Sequence, residues 1–134
     1  MCSREVRNQK SEVRIMRNFQ DLAIWKRSHA LAIEIYKITQ TFPRDEVFGQ
    51  VSQIRRAIVS IPTNIAEGCG RRTKTEFAQF LNIASGSASE VEYELLLAKD
   101  TGYISEQQYE HLKNEIREIR SMISTYMTRL HETP

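Results

Sequence analysis

The sequence predicts an all-α protein, an antiparallel up-down-up-down four-helix bundle whose second helix is kinked at Pro62. Apolar residues recur at alternating steps of three and four along most of the chain, which places them on one face of each helix. Five glycines and three prolines in 134 residues leave long uninterrupted segments, and no segment shows the polar–apolar alternation of a strand. The predicted connections, residues 42–44, 68–72 and 101–104, are short, so consecutive helices are expected to be antiparallel neighbours.

The first predicted helix carries two apolar stripes and ends at Phe42-Pro43, because the residue before a proline is driven out of the helical region. The stripe expected to face the bundle consists of Leu22, Trp25, His29, Ala32 and Tyr36. The stripe beside it consists of Ile24, Leu31, Ile35 and Ile38. Ile24, Leu31, Ile35 and Phe80 need a partner surface if one subunit does not cover them, which favours a closed homo-oligomer.

The other three helices each carry one apolar ladder, the pattern of helices that cross at about 20°. The second begins near Asp45, the third begins at a capping box from Thr73 to Glu76 and ends at Gly102, and Ser105 caps the fourth. The second ladder is Val47, Val51, Ile54, Ile58, Ile61 and Ile65. The third is Phe77, Leu81, Ala84, Ala88, Val91, Leu95 and Ala98. The fourth is Tyr109, Leu112, Ile116, Ile119, Ile123, Tyr126 and Leu130.

Pro62 lies inside the second helix, where it donates no amide and its ring crowds a preceding carbonyl, so a kink is expected. A polar line runs beside the isoleucine ladder of the same helix: Arg56, Ser60, Asn64 and Glu67. Gly86 in the third helix costs about 1 kcal/mol relative to alanine, a cost that close approach of the second helix would offset. Close approach would bring Ser87 and Glu90 to the polar line.

Three interpretations of these polar residues stay open. They form a satisfied network that sets register or a subunit contact, they contact a ligand or nucleic acid, or they form a catalytic site. No nucleophile and base are paired by spacing, and His29, His111 and His131 are scattered. Residues 68–70 end a helix rather than form a phosphate loop, and no Glu-x-x-His pair occurs. The sequence therefore predicts no enzyme, no metal site and no cofactor.

The predicted domain organisation is one bundle over residues 19–131, a size that suffices for a single core. Residues 1–18 hold five basic and two acidic side chains and form either an extension or a basic arm for nucleic acid, and residues 132–134 form a tail. Cys2 and Cys69 match no metal or redox spacing, and no stretch is long and apolar enough for a membrane span. A reducing cytoplasm with both thiols free is therefore expected.

The bundle is close to neutral in a chain of net charge +2, so nucleic-acid binding requires a local cluster of basic side chains. Arg71, Arg72 and Lys74 form such a cluster at the turn before the third helix, and Arg55 is a further candidate. The alternative is that this is an ordinary solvated turn. Repetition of the turn around an oligomer would strengthen phosphate binding through multivalency.

Two segments and a short motif carry a resemblance to a known family: DLAIWKRSHALAIEIY at 21–36, QIRRAIVSIPTNIAEGCGRRTKTEFAQFLNIASGSASEVEYEL at 53–95, and GYI at 102–104. From Phe19 to Leu130 the chain resembles the four-helix-bundle proteins encoded in intervening sequences of bacterial 23S rRNA genes. The most specific motifs are SIPTNIAEG and the ASGS-x-x-E element.

The resemblance implies a cytoplasmic bacterial bundle that assembles as a homopentamer. A more distant group of pentameric bundles, the accessory proteins of diversity-generating retroelements, binds nucleic acid and a reverse transcriptase. The motif positions in this chain are Arg55, Arg56, Ser60, Pro62, Asn64, Glu67, Gly68, Arg71, Gly86, Ser87 and Glu90. We therefore expect a non-enzymatic homopentamer that binds structured RNA. The alternative is an assembly module that recruits a protein partner, such as a reverse transcriptase, without contacting nucleic acid.

Overall fold

The computed structural model describes residues 18–132, and within this range every regular element is helical. Its four α-helices are α1 at Ala23–Thr39, α2 at Gln50–Cys69, α3 at Lys74–Asp100 and α4 at Glu106–Glu132. Short 3-10 turns at Phe19–Asp21 and Arg44–Glu46 precede α1 and α2. Each helix packs against the next, and α1 also packs against α4, so the four helices enclose one core. The prediction of an all-α, four-helix chain is confirmed.

The core is built from the apolar ladders of α2, α3 and α4, as their spacing predicts. Every ladder residue within these helices is buried except Tyr126, which is partly buried. The ladder of α3 is rich in alanine at positions 84, 88 and 98, and these small side chains let its neighbours pack closely. Val47, assigned to the second ladder, precedes α2 and is exposed.

The face that α1 buries differs from the predicted one. Ile24, Leu31 and Ile35 are buried in the core, whereas His29 and Tyr36 of the expected stripe are exposed. Ala32 of that stripe is buried as expected, and Leu22 and Trp25 are partly buried against the core. Both stripes are apolar enough to face a core, and the positions of the neighbouring helices decide between them, which the pattern of one helix does not specify. The bundle itself covers Ile24, Leu31 and Ile35, so these side chains need no partner surface and do not argue for an oligomer.

Polar contacts with α4 hold α1 in this orientation. Arg27 Nη2 donates to Glu115 Oε1 at 3.0 Å, and His111 Nε2 lies 2.8 Å from Glu34 Oε2. All four side chains lie at the border of the α1–α4 contact and are partly or largely exposed. These contacts fix which side of α1 faces α4. The side of α1 that carries His29 and Tyr36 then lies beside α2 and stays exposed.

Side-chain caps define the start of α3 and of α4. The Thr73 hydroxyl accepts the amide of Glu76 at 3.1 Å. Ser105 and Gln108 exchange two such bonds: the Gln108 amide donates to Ser105 Oγ at 3.0 Å, and the Ser105 amide donates to Gln108 Oε1 at 2.8 Å. Between these helices Gly102 has a φ of 83°, a left-handed conformation that favours glycine. The predicted caps at Thr73 and Ser105 are confirmed.

α2 begins later than predicted and continues through its proline. The 3-10 turn over Arg44–Glu46 replaces the expected first helical turn, and Glu46 Oε1 accepts the amide of Gln50 at 3.0 Å. From Gln50 to Cys69 the helix is continuous, with Pro62 buried inside it. One helix therefore carries the polar and basic residues on both sides of the proline.

The two helical glycines have different surroundings from those expected. A Cβ atom on Gly86 would meet no atom within 4 Å, so the expectation that Gly86 permits close approach of α2 is wrong. On Gly68 a Cβ atom would lie 2.7 Å from Cδ1 of Phe77 and 2.8 Å from Cβ of Phe80. Helix α3 therefore packs tightly against the backbone of Gly68, where α2 ends and the chain turns into α3.

Candidate functional site

The turn between α2 and α3 presents three basic residues. Arg71 and Arg72 lie in the turn and Lys74 begins α3, and all three are exposed. Arg71 Nη2 lies 2.7 Å from Glu67 Oε2, and its guanidinium lies 4.9 Å from the centroid of the Phe80 ring. Both members of the ion pair are about half-exposed, so the pair contributes about 1 kcal/mol or less and Arg71 can exchange Glu67 for another anion.

Arg55 does not join this turn. Its Nε donates to Thr39 Oγ1 at 2.9 Å and its Nη2 donates to the Tyr36 carbonyl at 3.1 Å. Its guanidinium also lies over the Tyr36 ring, 4.5 Å from the centroid. The helical rise places Arg55 about 20 Å along α2 from the turn. Arg55 therefore belongs to the contact between α1 and α2.

Part of the predicted polar line forms a contact between α2 and α3. Ser60 Oγ and Ser87 Oγ are 2.8 Å apart, and Asn64 Nδ2 donates to the Ser60 carbonyl at 2.8 Å and to its hydroxyl at 3.0 Å. These three side chains are half-buried and satisfy one another. Arg56 is not part of the contact, since its Nη2 donates to Ser52 Oγ at 3.2 Å.

The carboxylates assigned to the polar line lie apart from the serine contact. Glu67 pairs with Arg71 at the turn, and Glu90 is exposed on α3. Among the described side chains Arg56 forms no ion pair with either Glu67 or Glu90. Burial raises the pKa of Glu94 to about 7, the charge of Glu90 and a hydrogen bond with it act in the same direction, and the charge of Arg56 opposes them.

A groove of about 660 Å³ lies between α1 and α2. Its lining residues are Trp25, His29, Ala32, Ile33, Tyr36, Val59, Pro62, Thr63, Ala66 and Glu67. Ile33, Tyr36 and Val59 are exposed there although they are large apolar side chains. The sequence did not reveal the groove, because the stripe that contains Trp25 is apolar enough to be assigned to the core. One feature of the sequence could have indicated the groove: α1 carries two apolar stripes, and a helix with one buried face needs only one.

An aromatic stack lies in this groove. The rings of Trp25 and His29 are stacked with centroids 4.7 Å apart and planes 12° from parallel, and Phe19 packs edge-on against Trp25 at 5.1 Å. His29 is exposed, so the stack presents a ring to solvent. Two turns further along α1, the exposed Tyr36 ring lies under Arg55. The groove therefore carries aromatic rings toward both of its ends.

Basic residues of α4 pair with carboxylates of α3 and of α4 itself. Arg117 Nη2 lies 2.7 Å from Glu92 Oε2, and Arg120 Nη1 lies 2.9 Å from Glu92 Oε1. Burial by itself would raise the pKa of Glu92, but the hydrogen bonds and charges of the two arginines hold it below its ordinary value. Lys113 pairs with Glu110 at 3.2 Å. The basic side chains of this surface are therefore held in ion pairs.

Within residues 18–132 no group of three or more His, Cys, Asp and Glu side chains is placed to hold a metal ion. Across the same range no helix has the length and apolar character needed to cross a membrane. Cys69 is disulfide-bonded, so the prediction that its thiol is free is wrong. The other cysteine, Cys2, lies outside the described residues, as do the rest of the predicted arm up to residue 17 and the last two residues of the tail.

The residues of the groove and of the turn lie within a segment that matches a known protein family. Residues 20–125 match the model of a family described as 23S rRNA-intervening sequence protein. The chain belongs to this family. The family predicted from the sequence motifs is therefore confirmed, and the match includes all of α1, α2 and α3 and most of α4.

One solved structure supports the membership in the 23S rRNA-intervening sequence protein family. It is the crystal structure, at 1.70 Å resolution, of a protein with unknown function from the S23 ribosomal protein family of Bacteroides thetaiotaomicron VPI-5482. The two chains have a TM-score of 0.71 and 31% sequence identity, and the similarity covers 78% of this chain and 98% of that one. No curated protein matches the chain significantly.

Proposed function

We propose that this 23S rRNA-intervening sequence protein is a non-enzymatic homo-oligomer that binds structured RNA. The observation that carries the proposal is the α2–α3 turn, where Arg71, Arg72 and Lys74 lie together at the N-terminal end of α3. Phosphates bind to arginine and lysine side chains and to the exposed amides at a helix N-terminus. Arg72 makes no ion pair with any described residue, and the Arg71–Glu67 pair is weak enough to give way to a phosphate.

The proposed bundle is antiparallel, up-down-up-down, with a bend in α2 at Pro62. The short connections support this arrangement, since residues 70–73 join α2 to α3 and residues 101–105 join α3 to α4. Pro62 cannot donate an amide to the helix, which favours a bend there. A bend at this point would direct the last two turns of α2, and the basic turn that follows, away from the bundle axis.

The oligomer we propose is a homopentamer. Large apolar side chains remain exposed on one chain outside the groove: Phe48 is 92% exposed, Tyr93 60% and Ile83 51%. Ile83 and Tyr93 both lie on α3. A second copy would cover these side chains. Because a single turn offers few phosphate contacts, repetition around a ring would raise the overall affinity for RNA.

A non-enzymatic role is supported by how the polar side chains are used. The hydroxyls of Ser60 and Ser87 bind each other, and Asn64 is their other partner. No described histidine or lysine is hydrogen-bonded to either serine, so neither hydroxyl has a base to activate it.

Removal of the three basic side chains of the turn tests the RNA-binding proposal. Replacing Arg71, Arg72 and Lys74 with alanine should lower the affinity for a hairpin RNA and flatten the dependence of log affinity on log salt concentration, by about 0.7 to 0.9 for each phosphate that is no longer bound. Fluorescence anisotropy over a series of salt concentrations measures both quantities. Light scattering must show that the oligomer is intact.

The matched control removes the same charge elsewhere. Lys99, Lys113 and Arg117 each have carboxylate partners, and their replacement by alanine should leave the affinity and the salt slope close to those of the natural chain. If instead the turn variant binds RNA as the natural chain does, the protein-recruitment alternative takes precedence. Phe48, exposed at the end of the bundle, is then the first side chain to examine as a contact for a partner protein.

A further inference from the structure

We infer that the groove between α1 and α2 binds unpaired RNA bases by stacking them on its aromatic side chains. This inference rests on the proposed RNA-binding function and assigns a second RNA contact, the groove, to the same chain. The turn would hold phosphates, whereas the groove would hold bases. The combination of aromatic faces with a basic border is how proteins bind single-stranded segments and loops of RNA.

The first observation is the set of rings that the groove presents. The Trp25–His29 stack has its planes 12° from parallel, with Phe19 packed against the edge of Trp25, so the stack is supported from behind. Tyr36 offers another exposed ring further along α1. The helical rise from Trp25 to Tyr36 corresponds to about 16 Å, which leaves room for more than one base.

The second observation is the charge at the border of the groove. Lys26, Ile33 and Lys37 recur at steps of seven and four on α1, so the two lysines flank an apolar lining residue on the outer side of the groove. Both lysines are exposed and form no ion pair with a described carboxylate. Arg55 is held at the Tyr36 end by contacts with a hydroxyl, a carbonyl and a ring, none of which neutralises its charge.

The groove is also continuous with the basic turn. Glu67, which lines the opposite end, is the partner of Arg71. An RNA strand whose phosphates bind Arg71 and Arg72 therefore enters the groove at the end that holds Glu67. Thr63 contributes a hydroxyl to the lining, which can donate to or accept from the edge of a base. In a fully paired duplex the base faces are stacked on one another, so no base face is accessible to the aromatic rings of the groove.

The fluorescence of Trp25 provides a direct test, because the chain contains a single tryptophan. The probes are a hairpin RNA with an oligoadenylate loop and a blunt duplex with the same stem sequence, each titrated into the full-length oligomer. The loop should quench the Trp25 emission in a saturable manner, and the duplex should bind through its phosphates without quenching. Anisotropy of labelled RNA measures the binding independently of the tryptophan.

A pair of histidine variants separates stacking from charge. His29→Ala should weaken binding of the hairpin by about fivefold or more and leave the salt slope unchanged, since a base loses one ring to stack on and the phosphates keep all their basic partners. His131→Ala, which removes an exposed histidine near the end of α4, should change neither quantity. Circular dichroism and light scattering of both variants should match those of the natural chain, because both positions are exposed.

Each other outcome overturns the inference in a recognisable way. If RNA binds by anisotropy while the Trp25 emission and the His29→Ala affinity stay unchanged, bases do not enter the groove, and the proposed function stands. If the natural chain binds no RNA, both proposals fail and the groove becomes a surface for a protein partner. If dilution alone changes the Trp25 emission together with the mass, a second copy of this chain occupies the groove.

Discussion

Glu94 shows how a single carboxyl group responds to the packing of α3 against α2. Its Oε1 atom is buried without a hydrogen-bond partner in the described part of the chain. Burial is the largest cause that raises its pKa to about 7, and Glu90, one turn earlier, adds repulsion that the charge of Arg56 does not cancel. The folded protein is therefore more stable when Glu94 is protonated than when it is ionised.

The expected consequence is a loss of stability as the pH rises. Because the pKa of Glu94 is raised from 4.5 to about 7 on folding, the stability it contributes is fully present below about pH 4.5 and is lost as the pH rises through 7. Glu94→Gln removes this titration, so the Tm of the variant relative to the natural chain should increase between pH 5 and pH 8. Glu118→Gln, at an exposed position of α4, is the control. A Tm difference that does not vary with pH would contradict the assignment.

At the scale of elements, the contact between α2 and α3 depends on one glycine and not on the other. Gly68 is buried where α2 ends, with Phe77 and Phe80 of α3 against its backbone. Gly86, in the middle of α3, faces open space on a single chain. The sequence alone pointed to Gly86, because a glycine inside a long helix is more conspicuous than one near a helix end.

Alanine at these two positions should have opposite effects. Gly68→Ala places a Cβ atom less than 3 Å from two side chains and should lower the free energy of unfolding by about 1–3 kcal/mol. Gly86→Ala should raise it by about 0.5–1 kcal/mol, because alanine favours the helix and meets no neighbour. Urea denaturation of both variants measures the difference. Destabilisation by Gly86→Ala would show that another chain packs its backbone against α3.

For the whole molecule, the large exposed apolar side chains lie in the groove on α1 and α2, on the outer face of α3, and at Val47 and Phe48 before α2. We assign the groove to RNA bases and the face that carries Ile83 and Tyr93 to self-association. Ile33 in the groove and Ile83 on α3 have similar exposure, 46% and 51%. Exposure therefore does not distinguish the two surfaces, and each needs its own variant.

Light scattering of serine variants tests this division. The natural chain should have the mass of a closed oligomer at micromolar concentration. Ile83→Ser combined with Tyr93→Ser should shift it toward the monomer while the helical circular dichroism is retained, because the two side chains belong to the surface between chains and not to the core. Ile33→Ser should leave the mass unchanged. A monomeric natural chain would exclude the proposed oligomer.

The sequence by itself determined the helices and most of the core. The ladders of α2, α3 and α4 and the caps at Thr73 and Ser105 follow from local spacing, and apart from Val47 the structure places them as predicted. The family was identified by its resemblance to known motifs, and the family match over residues 20–125 confirms it. Local patterns suffice there because each of these helices has one apolar ladder that continues along its length, whereas other apolar residues, such as Ile83 and Tyr93 on α3, form no such ladder.

Tertiary structure decided which side of α1 is buried and which polar residues meet. Two apolar stripes compete on α1, and the positions of α2 and α4 bury the one with Ile24 and leave the one with Trp25 to form a groove. Arg56 and Glu67 share a helix face with Ser60, yet they bind different partners, because long flexible side chains reach the nearest available group. A repeat along one helix specifies a face, and only the packing of neighbouring helices determines what that face contacts.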